Sequence, residues 1–505
     1  MSELSMPSSV IKTFELADEQ YEFLKTSLQA ETFQHLEHGE IESFVQQEGT
    51  ELLRHLIQGH LDLRALQEQA IEGGVVGSDG ASRPHRRLKS ERRLTTIFGD
   101  VTVTRIGYST KQLNVGALYP ADGQLNLAPD QYSDGLRQRI AQEASKVSFA
   151  ETSQSIRTTT GVKVGKRQCE QVTVKVAQDF EEFYAHRQQE QPELSEDLLV
   201  LSSDGKGIVM HASDLREATA KAAQKKASKA SKARLGPGEK SQSKRMATVA
   251  SVYSTARFER RAEQIIGQAK EELERPKIVN KRVWASVQQS AKEVIGSAFE
   301  EAVSRDPLHQ REWVALVDGD CHQLSYIQAE AKKHQVDITI VLDFIHVMEY
   351  LWKAAYCFFC VGSEEAHQWV EQRGLRLLQG KSSDIAAGMR RSATLQNLSK
   401  KDRKNVDKCA DYLLKYRKFL KYDDYLARGH PIASGVIEGA CRHLVKDRMD
   451  ITGARWRLEQ AEAILKIRAL RTSRDFDEYW QFHKIQEFKR NHADRFQDPQ
   501  QLLTA

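Results

Sequence analysis

The stretch from Leu198 to Gly207, LLVLSSDGKG, constrains the fold more than any other part of this sequence. Its apolar run is short, is followed by Asp204 and is bounded by glycines, which is the pattern of a buried strand. We therefore expect strands at 198–203 and 207–211, with Asp204 at the end of the first. Because reacting groups of open α/β sheets gather at the carboxyl ends of strands, Asp204 is a candidate for chemistry.

The same pattern of an apolar run ending in an aspartate occurs twice more. The run WVALV at 313–317 ends at Asp318, and VDITIVLD at 336–343 ends at Asp343. Asp320 is an alternative to Asp318, but Asp318 directly follows the apolar run and is preferred. Both runs predict strands, and the strands before Asp204 and Asp318 could be adjacent and parallel.

In addition to these aspartates, a glutamate lies in the late segment SGVIEGACRHLVKDRM, whose apolar residues repeat at helical spacing. Glu438 lies on this predicted helix, and Arg442 and Lys446 follow it at four-residue intervals. Residues four apart share one face of an α-helix, so the glutamate should be accompanied by a basic stripe.

The aspartates Asp204 and Asp318 and the glutamate Glu438 would repel each other if they converged on one point. Three such carboxylates are stable as anions only with cations among them. Ligation by oxygen alone favours Mg²⁺ or Mn²⁺. Two such ions about 3.5–4 Å apart can activate a water or hydroxyl and stabilise the leaving oxygen of a phosphodiester.

The composition sets broad limits. A length of 505 residues suggests roughly three domains at about 150 residues each. The net charge is only +4, so local clusters of charge are more informative than the overall balance. No apolar stretch approaches the length of about 18 residues that a membrane span needs, and the N-terminus lacks the layout of a signal peptide. Six scattered cysteines indicate free thiols and a cytosolic protein.

Residues 134–190 have the layout of a helix-turn-helix unit, with a capping box at Ser148. Lys163, Lys166 and Arg167 cluster at the start of its last helix, where such proteins contact base edges and phosphates. A plain three-helix packing unit is the alternative interpretation.

Two basic segments flank this unit. Residues 85–93 (HRRLKSERR) are strongly basic and belong to a basic linker, with a solvated loop as the alternative. A β-hairpin is expected at 93–109 around Gly99 and Asp100. Residues 220–245 are low in complexity and rich in Lys, Ser and Ala, which predicts a disordered arm that binds phosphate backbones or serves only as a linker.

The motifs SSDGKGIVM, NKRVWASV, WVALVDGD, DFIHVMEYLWKAA and SGVIEGACRHLVKDRMDITGARW, in this order, resemble the DDE transposases of bacterial insertion sequences, most closely the ISKra family. The resemblance covers about residues 90–490. It implies an RNase H-like catalytic domain in which Asp204, Asp318 and Glu438 are the catalytic, metal-binding carboxylates.

Asp343 and His346 resemble the C/D-x-x-H signature that related transposases carry between the second aspartate and the glutamate. The resemblance implies that Asp343 pairs with His346 and supports the three carboxylates from outside. A core histidine hydrogen-bonded to the backbone is the alternative for His346.

The predicted fold class is α+β, or mostly helical and multidomain, with an RNase H-like mixed sheet flanked by helices, an all-α insertion and an N-terminal helical and helix-turn-helix region. The expected segments are an N-terminal helical region (1–75), a basic linker and β-hairpin (76–130), a helix-turn-helix-like DNA-binding region (131–190), the first part of the catalytic core (191–343), the all-α insertion (344–427), the Glu-bearing part of the core (428–475) and a C-terminal helix and tail (476–505).

The resemblance implies a transposase that binds terminal inverted repeats, cleaves DNA with a pair of Mg²⁺ or Mn²⁺ ions, and joins the freed end to target DNA. Arg442 and Lys446 would hold DNA phosphates beside the ions. Double-stranded DNA is the expected partner, a homodimer on DNA the expected assembly, and the bacterial cytoplasm at the nucleoid the expected location. The alternatives are an inactive transposase-derived repressor and an RNase H-like nuclease or resolvase.

Overall fold

The structure is a computed structural model that describes residues 12–187, 195, 197–227, 243–266 and 274–502. The chain divides into two compact units. The first is Met1–Phe183 together with Phe476–Ala505, and the second is Tyr184–Asp475. Within the described residues no helix is both long enough and apolar enough to cross a membrane.

The described residues contain strands in three sheets. In chain order the strands are β1 (Val75–Val76), β2 (Ser82–Arg83), β3 (His85–Thr96), β4 (Gly99–Ser109), β5 (Leu198–Val209), β6 (Lys244–Thr255), β7 (Ile278–Ser286), β8 (Trp313–Val317) and β9 (Ile338–Leu342).

Helices make up most of the remaining described chain. In chain order the α-helices are α1 (Glu15–Gln29), α2 (His38–Gln67), α3 (Pro120–Gln124), α4 (Asp134–Ala144), α5 (Phe149–Thr160), α6 (Lys166–Val176), α7 (Phe180–Arg187), α8 (Glu217–Ala227), α9 (Ala262–Ile265), α10 (Ala291–Arg305), α11 (Cys321–His334), α12 (Phe344–Ala355), α13 (Glu364–Leu378), α14 (Ser382–Leu395), α15 (Lys404–Lys415), α16 (Tyr422–Ala427), α17 (Gly435–Ala440), α18 (Asp447–Met449), α19 (Leu458–Ser473) and α20 (Phe476–Asn491).

The first unit contains the expected hairpin, but its strands are longer than the pattern indicates. β3 and β4 pair from His85↔Ser109 to Thr96↔Gly99, so the turn is at Ile97 and Phe98 rather than at Gly99 and Asp100. The basic run 85–93 is the first part of β3, and the interpretation of that run as a solvated loop is wrong. Most of the run pairs with β4, with a register shift between Arg87 and Ser90, while most of its side chains stay exposed.

The predicted helix-turn-helix segment forms three helices, α4, α5 and α6. The capping box at the start of α5 is confirmed: the Ser148 hydroxyl accepts a hydrogen bond from the amide of Glu151, and the Glu151 carboxylate accepts one from the amide of Ser148. Gly161 ends α5 with φ of 73°, a left-handed conformation that glycine adopts without steric cost.

The C-terminal helix α20 belongs to the first unit. Two hydrogen bonds join the Glu487 carboxylate to the guanidinium of Arg137, which is 1% exposed. Asp179, in the turn after α6, accepts hydrogen bonds from both terminal nitrogens of Arg490. The chain turns at 177–179, between α6 and α7, and the Asp179 carboxylate is buried in this turn.

The second unit is built on a five-stranded sheet in the order β7-β6-β5-β8-β9. β5 pairs antiparallel with β6, β6 pairs antiparallel with β7, and β5, β8 and β9 run parallel. The α+β, multidomain part of the predicted fold class is therefore confirmed. α10 packs on β5 and β6, and α19 packs on β7.

The central strand β5 is one strand of twelve residues, so the prediction of two strands separated at Asp204 is wrong. Its antiparallel pairing continues from Leu198↔Thr255 to Val209↔Lys244. Gly205 and Gly207 do not end the strand, because their missing side chains leave room for the side chains of Met246 and Lys244 on β6.

Between the sheet and Glu438 the chain is entirely helical from α12 to α16, as the sequence predicts for 344–427. Within it α12 packs against α13 and α15, and α14 packs against α15. The hydroxyls of Tyr422 and Tyr425 donate hydrogen bonds of 2.8 Å and 3.2 Å to the carbonyl oxygens of Leu342 and Ile340, which attaches this helical segment to β9.

Candidate active site

Two of the predicted carboxylates lie at the same edge of the parallel part of the sheet. Asp204 is two residues beyond Ser202, the last β5 residue that pairs with β8. Asp318 directly follows Val317, the last residue of β8. Because neighbouring parallel strands present their carboxyl ends at one edge, the two aspartates are brought together there.

Glu438 reaches this edge from a helix. α17 packs against β5 and β6 and buries Ile437 and Ala440, while Glu438 is exposed. One cavity of about 210 Å³ has walls formed by all three carboxylates and by both residues of the D-x-x-H motif. Its lining includes Asp204, Asp318, Asp343, His346 and Glu438.

The two strand aspartates influence each other electrostatically. Burial raises the pKa of the Asp318 carboxyl, and the negative charge of Asp204 raises it further. The amide of Asp320, which donates to Asp318 Oδ1 at 3.0 Å, and the nearby His346 lower this pKa and only partly oppose the increase. A carboxyl with a raised pKa beside a second carboxylate is an environment that a cation would stabilise.

Asp320, the alternative to Asp318, has a different structural role. Its Oδ1 accepts hydrogen bonds from the amides of His322 at 2.9 Å and Gln323 at 3.0 Å, so it caps the start of α11. An N-cap carboxylate satisfies helix amides that have no other partner. The geometry therefore favours Asp318 as the member of the cavity.

Asp204 makes a contact that sequence reasoning missed. The thiol of Cys441 donates to Asp204 Oδ2 at 3.2 Å, and the amide of Gly205 lies 2.6 Å from Asp204 Oδ1. Burial raises the pKa of Cys441, and the adjacent Asp204 raises it further, which keeps the thiol protonated as a donor. The position of Cys441, three residues after Glu438 on the same predicted helix, was the signal in the sequence.

Asp343 and His346 both line the cavity, but the predicted pairing between them is wrong. Asp343 is 3% exposed and caps α12: its Oδ1 accepts from the amide of Ile345 at 2.9 Å, and its Oδ2 accepts from the hydroxyl of Ser434. Because both carboxylate oxygens are held in this way, Asp343 anchors the segment before Glu438. His346 is half-buried and packs edge-on against Tyr350 at 5.5 Å.

A second tyrosine supports Asp318. The hydroxyl of Tyr412 donates to the carbonyl oxygen of Asp318 at 3.1 Å, and its ring stacks on Tyr350 with centroids 4.3 Å apart. Burial raises the pKa of Tyr412, so its hydroxyl remains a donor at neutral pH. This residue belongs to the helical segment, and nothing in the local sequence pattern identified it.

The helix that carries Glu438 is not a regular α-helix. Residues Cys441–Lys446 form a π-helical turn between α17 and α18. In a π turn the backbone hydrogen bonds join residues five apart, so residues four apart no longer lie on one face. The prediction that Glu438, Arg442 and Lys446 share one regular helix face is therefore wrong. Arg442 and Lys446 are exposed, and Arg442 Nε lies 3.6 Å from Asp447 Oδ1. π turns are frequent at functional sites.

The carboxylates of the cavity are chemically suited to a hard divalent cation, because they offer oxygen ligands. A bound cation would also stabilise the ionised form of Asp318, which burial disfavours. In the part of the chain that the structure describes, no three His, Cys, Asp or Glu side chains are close enough together to hold a metal ion. The carboxylates thus share one cavity without closing around a common point.

The predicted DNA-contacting residues of the first unit are at the surface. Lys163, Lys166 and Arg167 are all exposed, and Gly165 begins the helix that carries the last two. The buried face of α6 contains Cys169, Val172, Thr173 and Val176, so the basic residues stay on the opposite, solvent side.

The basic arm is only partly described. Residues 228–242 lie outside the described part of the chain, and the two ends of the predicted disordered segment 220–245 are ordered. Lys221 lies in α8 and pairs with Glu217, while Arg245 lies in β6 and donates to the carbonyl of Val287 at 2.8 Å. The prediction of disorder is therefore wrong at both ends.

The chain matches no protein-family model and no curated protein. The resemblance to DDE transposases thus rests on the sequence motifs themselves.

Proposed function

We propose that this chain is a metal-dependent DNA transposase with an RNase H-like catalytic domain, similar to the ISKra family. The observation that carries the proposal is the cavity shared by Asp204, Asp318 and Glu438, which come from two adjacent parallel strands and one helix. The five-stranded sheet, with three antiparallel strands followed by two parallel ones, supports the RNase H-like part of the proposal.

In this proposal Asp204, Asp318 and Glu438 hold one or two Mg²⁺ or Mn²⁺ ions. When bound, such ions lower the pKa of an attacking water and neutralise charge on the leaving oxygen. The chain's own residues orient the carboxylates: Cys441 holds Asp204 through its thiol, and Tyr412 holds the backbone of Asp318. Glu438 is exposed and completes the site when DNA is present.

The DNA is held by basic residues outside the cavity. Lys163, Lys166 and Arg167 contact the terminal inverted repeats in this proposal, and their exposure at the start of α6 supports it. Arg442 and Lys446 hold phosphates near the cleaved bond. Cleavage frees a 3′-hydroxyl, which then attacks the target DNA, and both steps are in-line phosphoryl transfers.

The partners and location follow from this activity. The ligand is double-stranded DNA, at the element's ends and at the target. Two ends must be processed together, which favours a homodimer on DNA. The protein would act in the bacterial cytoplasm, at the nucleoid.

The proposal is tested by incubating the protein with Mg²⁺ and DNA that carries the sequences flanking its reading frame. Nicking at the ends and joining to a second DNA are expected, and Asp204→Ala, Asp318→Ala and Glu438→Ala should each abolish both while DNA binding survives. Asp320→Ala is the matched control, because it removes a neighbouring carboxylate that only caps a helix, and it should retain activity.

The outcomes separate the alternatives. Sequence-specific binding without cleavage would indicate a transposase-derived repressor. Cleavage without joining would indicate an RNase H-like nuclease or resolvase. Loss of activity in Asp320→Ala but not in Asp318→Ala would show that the wrong aspartate was assigned.

A further inference from the structure

A second and larger cavity lies against the helix that carries Glu438. This groove has a volume of about 890 Å³ and belongs entirely to the second unit. Gly435, Val436 and Gly439 of α17 line the groove, whereas Ile437 and Glu438 of the same helix line the carboxylate cavity. α17 therefore stands between the two, with one face toward each.

The groove carries an excess of positive charge. Among the described residues that line it, the ionised side chains are five cations and two anions, which gives a local charge of +3: Arg187, Lys281, Arg282, Arg305 and Arg474 against Glu301 and Asp475. Both anions are engaged within the groove.

Each acid has a cation beside it. Arg305 Nη2 lies 2.6 Å from Glu301 Oε1, and Arg282 pairs with the other oxygen of the same carboxylate. Arg187 Nη1 lies 2.7 Å from Asp475 Oδ1. Two of the three excess charges are therefore carried by Lys281 and Arg474, which are both exposed, and the third belongs to the two arginines that share Glu301.

The ring of Tyr184, which lines the groove, is covered by a cation. The guanidinium of Arg282 lies over the Tyr184 ring at 3.4 Å and over the Trp284 ring at 4.5 Å. Because recognition of unpaired bases relies on stacking against such rings, the occupant is recognised by its negative charge rather than by its bases. A ligand of this kind is a phosphate backbone.

The wall formed by α17 is open to close approach. A Cβ atom added at Gly435 or Gly439 would meet nothing within 4 Å, so neither glycine is required by internal packing. Gly439 lies inside α17, where glycine weakens a helix, and glycine serves at positions where another backbone approaches closely.

Arg474 occupies a backbone position that normally selects glycine. It ends α19 in the left-handed region, with φ 67° and ψ 24°. Glycine and asparagine are the usual residues there because a side chain is strained in that conformation. An arginine at this position keeps an exposed charge at the groove despite the strain.

We propose that this groove binds a second stretch of DNA backbone, on the opposite side of α17 from the carboxylates. This inference rests on the proposed function. Since a helix with its side chains is about 10–12 Å across, the DNA in the groove lies roughly one helix diameter from the cleavage site. Its contacts are independent of base sequence.

The test uses Arg474→Gly and Lys281→Ala in the full chain, with Gln335→Gly and Lys332→Ala as matched controls. Gln335 ends α11 in the same left-handed conformation, with φ 55°, so both glycine variants relieve the same backbone strain. Because Gln335 carries no charge, its replacement leaves the charge of the protein unchanged. Lys332 is an exposed lysine outside the groove. Arg474→Gly should fold at least as stably as the wild type.

The measurement is fluorescence anisotropy with a labelled duplex of arbitrary sequence, in EDTA, over a series of salt concentrations. Each phosphate that is neutralised contributes about 0.9 to the slope of the logarithm of the binding constant against the logarithm of the salt concentration. At 0.1 M salt, relative to 1 M, one such contact strengthens binding by about eightfold. Arg474→Gly and Lys281→Ala should each weaken binding by about that factor, and the double variant should show about twice the change in slope. Neither control should change.

Unchanged slopes in both groove variants would overturn this inference and leave the proposed function standing, because the cleavage assay tests that separately. A polyglutamate peptide that binds the wild type more tightly than DNA, and binds Arg474→Gly more weakly, would assign the groove to an acidic protein instead. A wild-type protein that binds no DNA would overturn both proposals.

Discussion

The ion-pair network at the floor of the groove supports a quantitative prediction. Glu301 is 7% exposed and pairs with Arg282 and Arg305. Replacing the carboxylate in Glu301→Gln keeps the shape but leaves the buried Arg282 without its counter-charge. Removing one partner of a buried pair costs about 3–5 kcal/mol.

The pKa of Glu301 gives an independent magnitude. Burial alone would raise it, but Arg282 and Arg305 outweigh burial and lower the pKa from 4.5 to about 2. The difference of about 2.5 between the ordinary pKa and the folded-state pKa of Glu301 corresponds to about 3 kcal/mol of unfolding free energy. Because the folded-state pKa is lowered, this stability is fully present above pH 4.5 and is lost as the pH falls toward 2. The wild-type advantage over Glu301→Gln should therefore be about 3 kcal/mol at pH 7 and about 1 kcal/mol at pH 3.

The assay is urea unfolding followed by tryptophan fluorescence at the two pH values. Glu300→Gln is the matched control, because it makes the same change one residue earlier on α10 at an exposed position, and it should shift the unfolding free energy by less than about 0.5 kcal/mol. A Glu301→Gln protein as stable as this control at pH 7, or one whose deficit does not shrink at pH 3, would show that the buried ion pairs do not stabilise the fold.

Three further predictions concern the DNA surfaces and the carboxylate cavity. Changing Lys166 and Arg167 together to Ala should weaken binding to the terminal repeats by about 1–3 kcal/mol for each contact with a base that is lost, as measured in a gel-shift series. An unchanged preference for the terminal repeats over other DNA would show that α6 has only a structural role. Asp204→Asn should raise the melting temperature of the metal-free protein at pH 7. Because the pKa of Asp318 is raised in the folded protein, stability is lost as the pH rises through that pKa. The substitution removes the charge of Asp204, which is one cause of the raised pKa. Gly439→Ala should stabilise the protein by roughly 0.5–1 kcal/mol in thermal unfolding, since its Cβ meets no atom, and should weaken DNA binding if the backbone approaches there.

Local patterns in the sequence predicted the strands that lead to Asp204, Asp318 and Asp343, because a strand buried in the sheet is apolar. The run before Asp318 corresponds to β8 over the predicted residues. The run before Asp204 did not reveal that β5 continues, because the continuation depends on pairing with β6, whose residues lie beyond the basic arm. Partners distant in sequence are invisible to local periodicity.

Three features of the site depended on such distant or subtle effects. The π turn after Ala440 differs from an α-helix by a small shift in hydrogen bonding, which leaves the apolar spacing almost unchanged. The hydrogen bond from Cys441 to Asp204 joins residues 237 positions apart. Asp343 is predicted to pair with His346, but its Oδ1 accepts from an amide at the start of α12 and its Oδ2 accepts from the distant Ser434.

If the proposed function is correct, Asp204, Asp318 and Glu438 form one cation-dependent centre that DNA completes. A thermal-shift titration with Mg²⁺, with and without terminal-repeat DNA, on the wild type and Glu438→Ala measures this property. Mg²⁺ should stabilise the DNA-free wild type only slightly and the DNA complex more, because waters and the scissile phosphate must supply the remaining ligands. In Glu438→Ala the additional stabilisation on DNA should disappear. Tight Mg²⁺ binding to the DNA-free wild type that persists in Glu438→Ala would place the cation elsewhere and contradict the assignment.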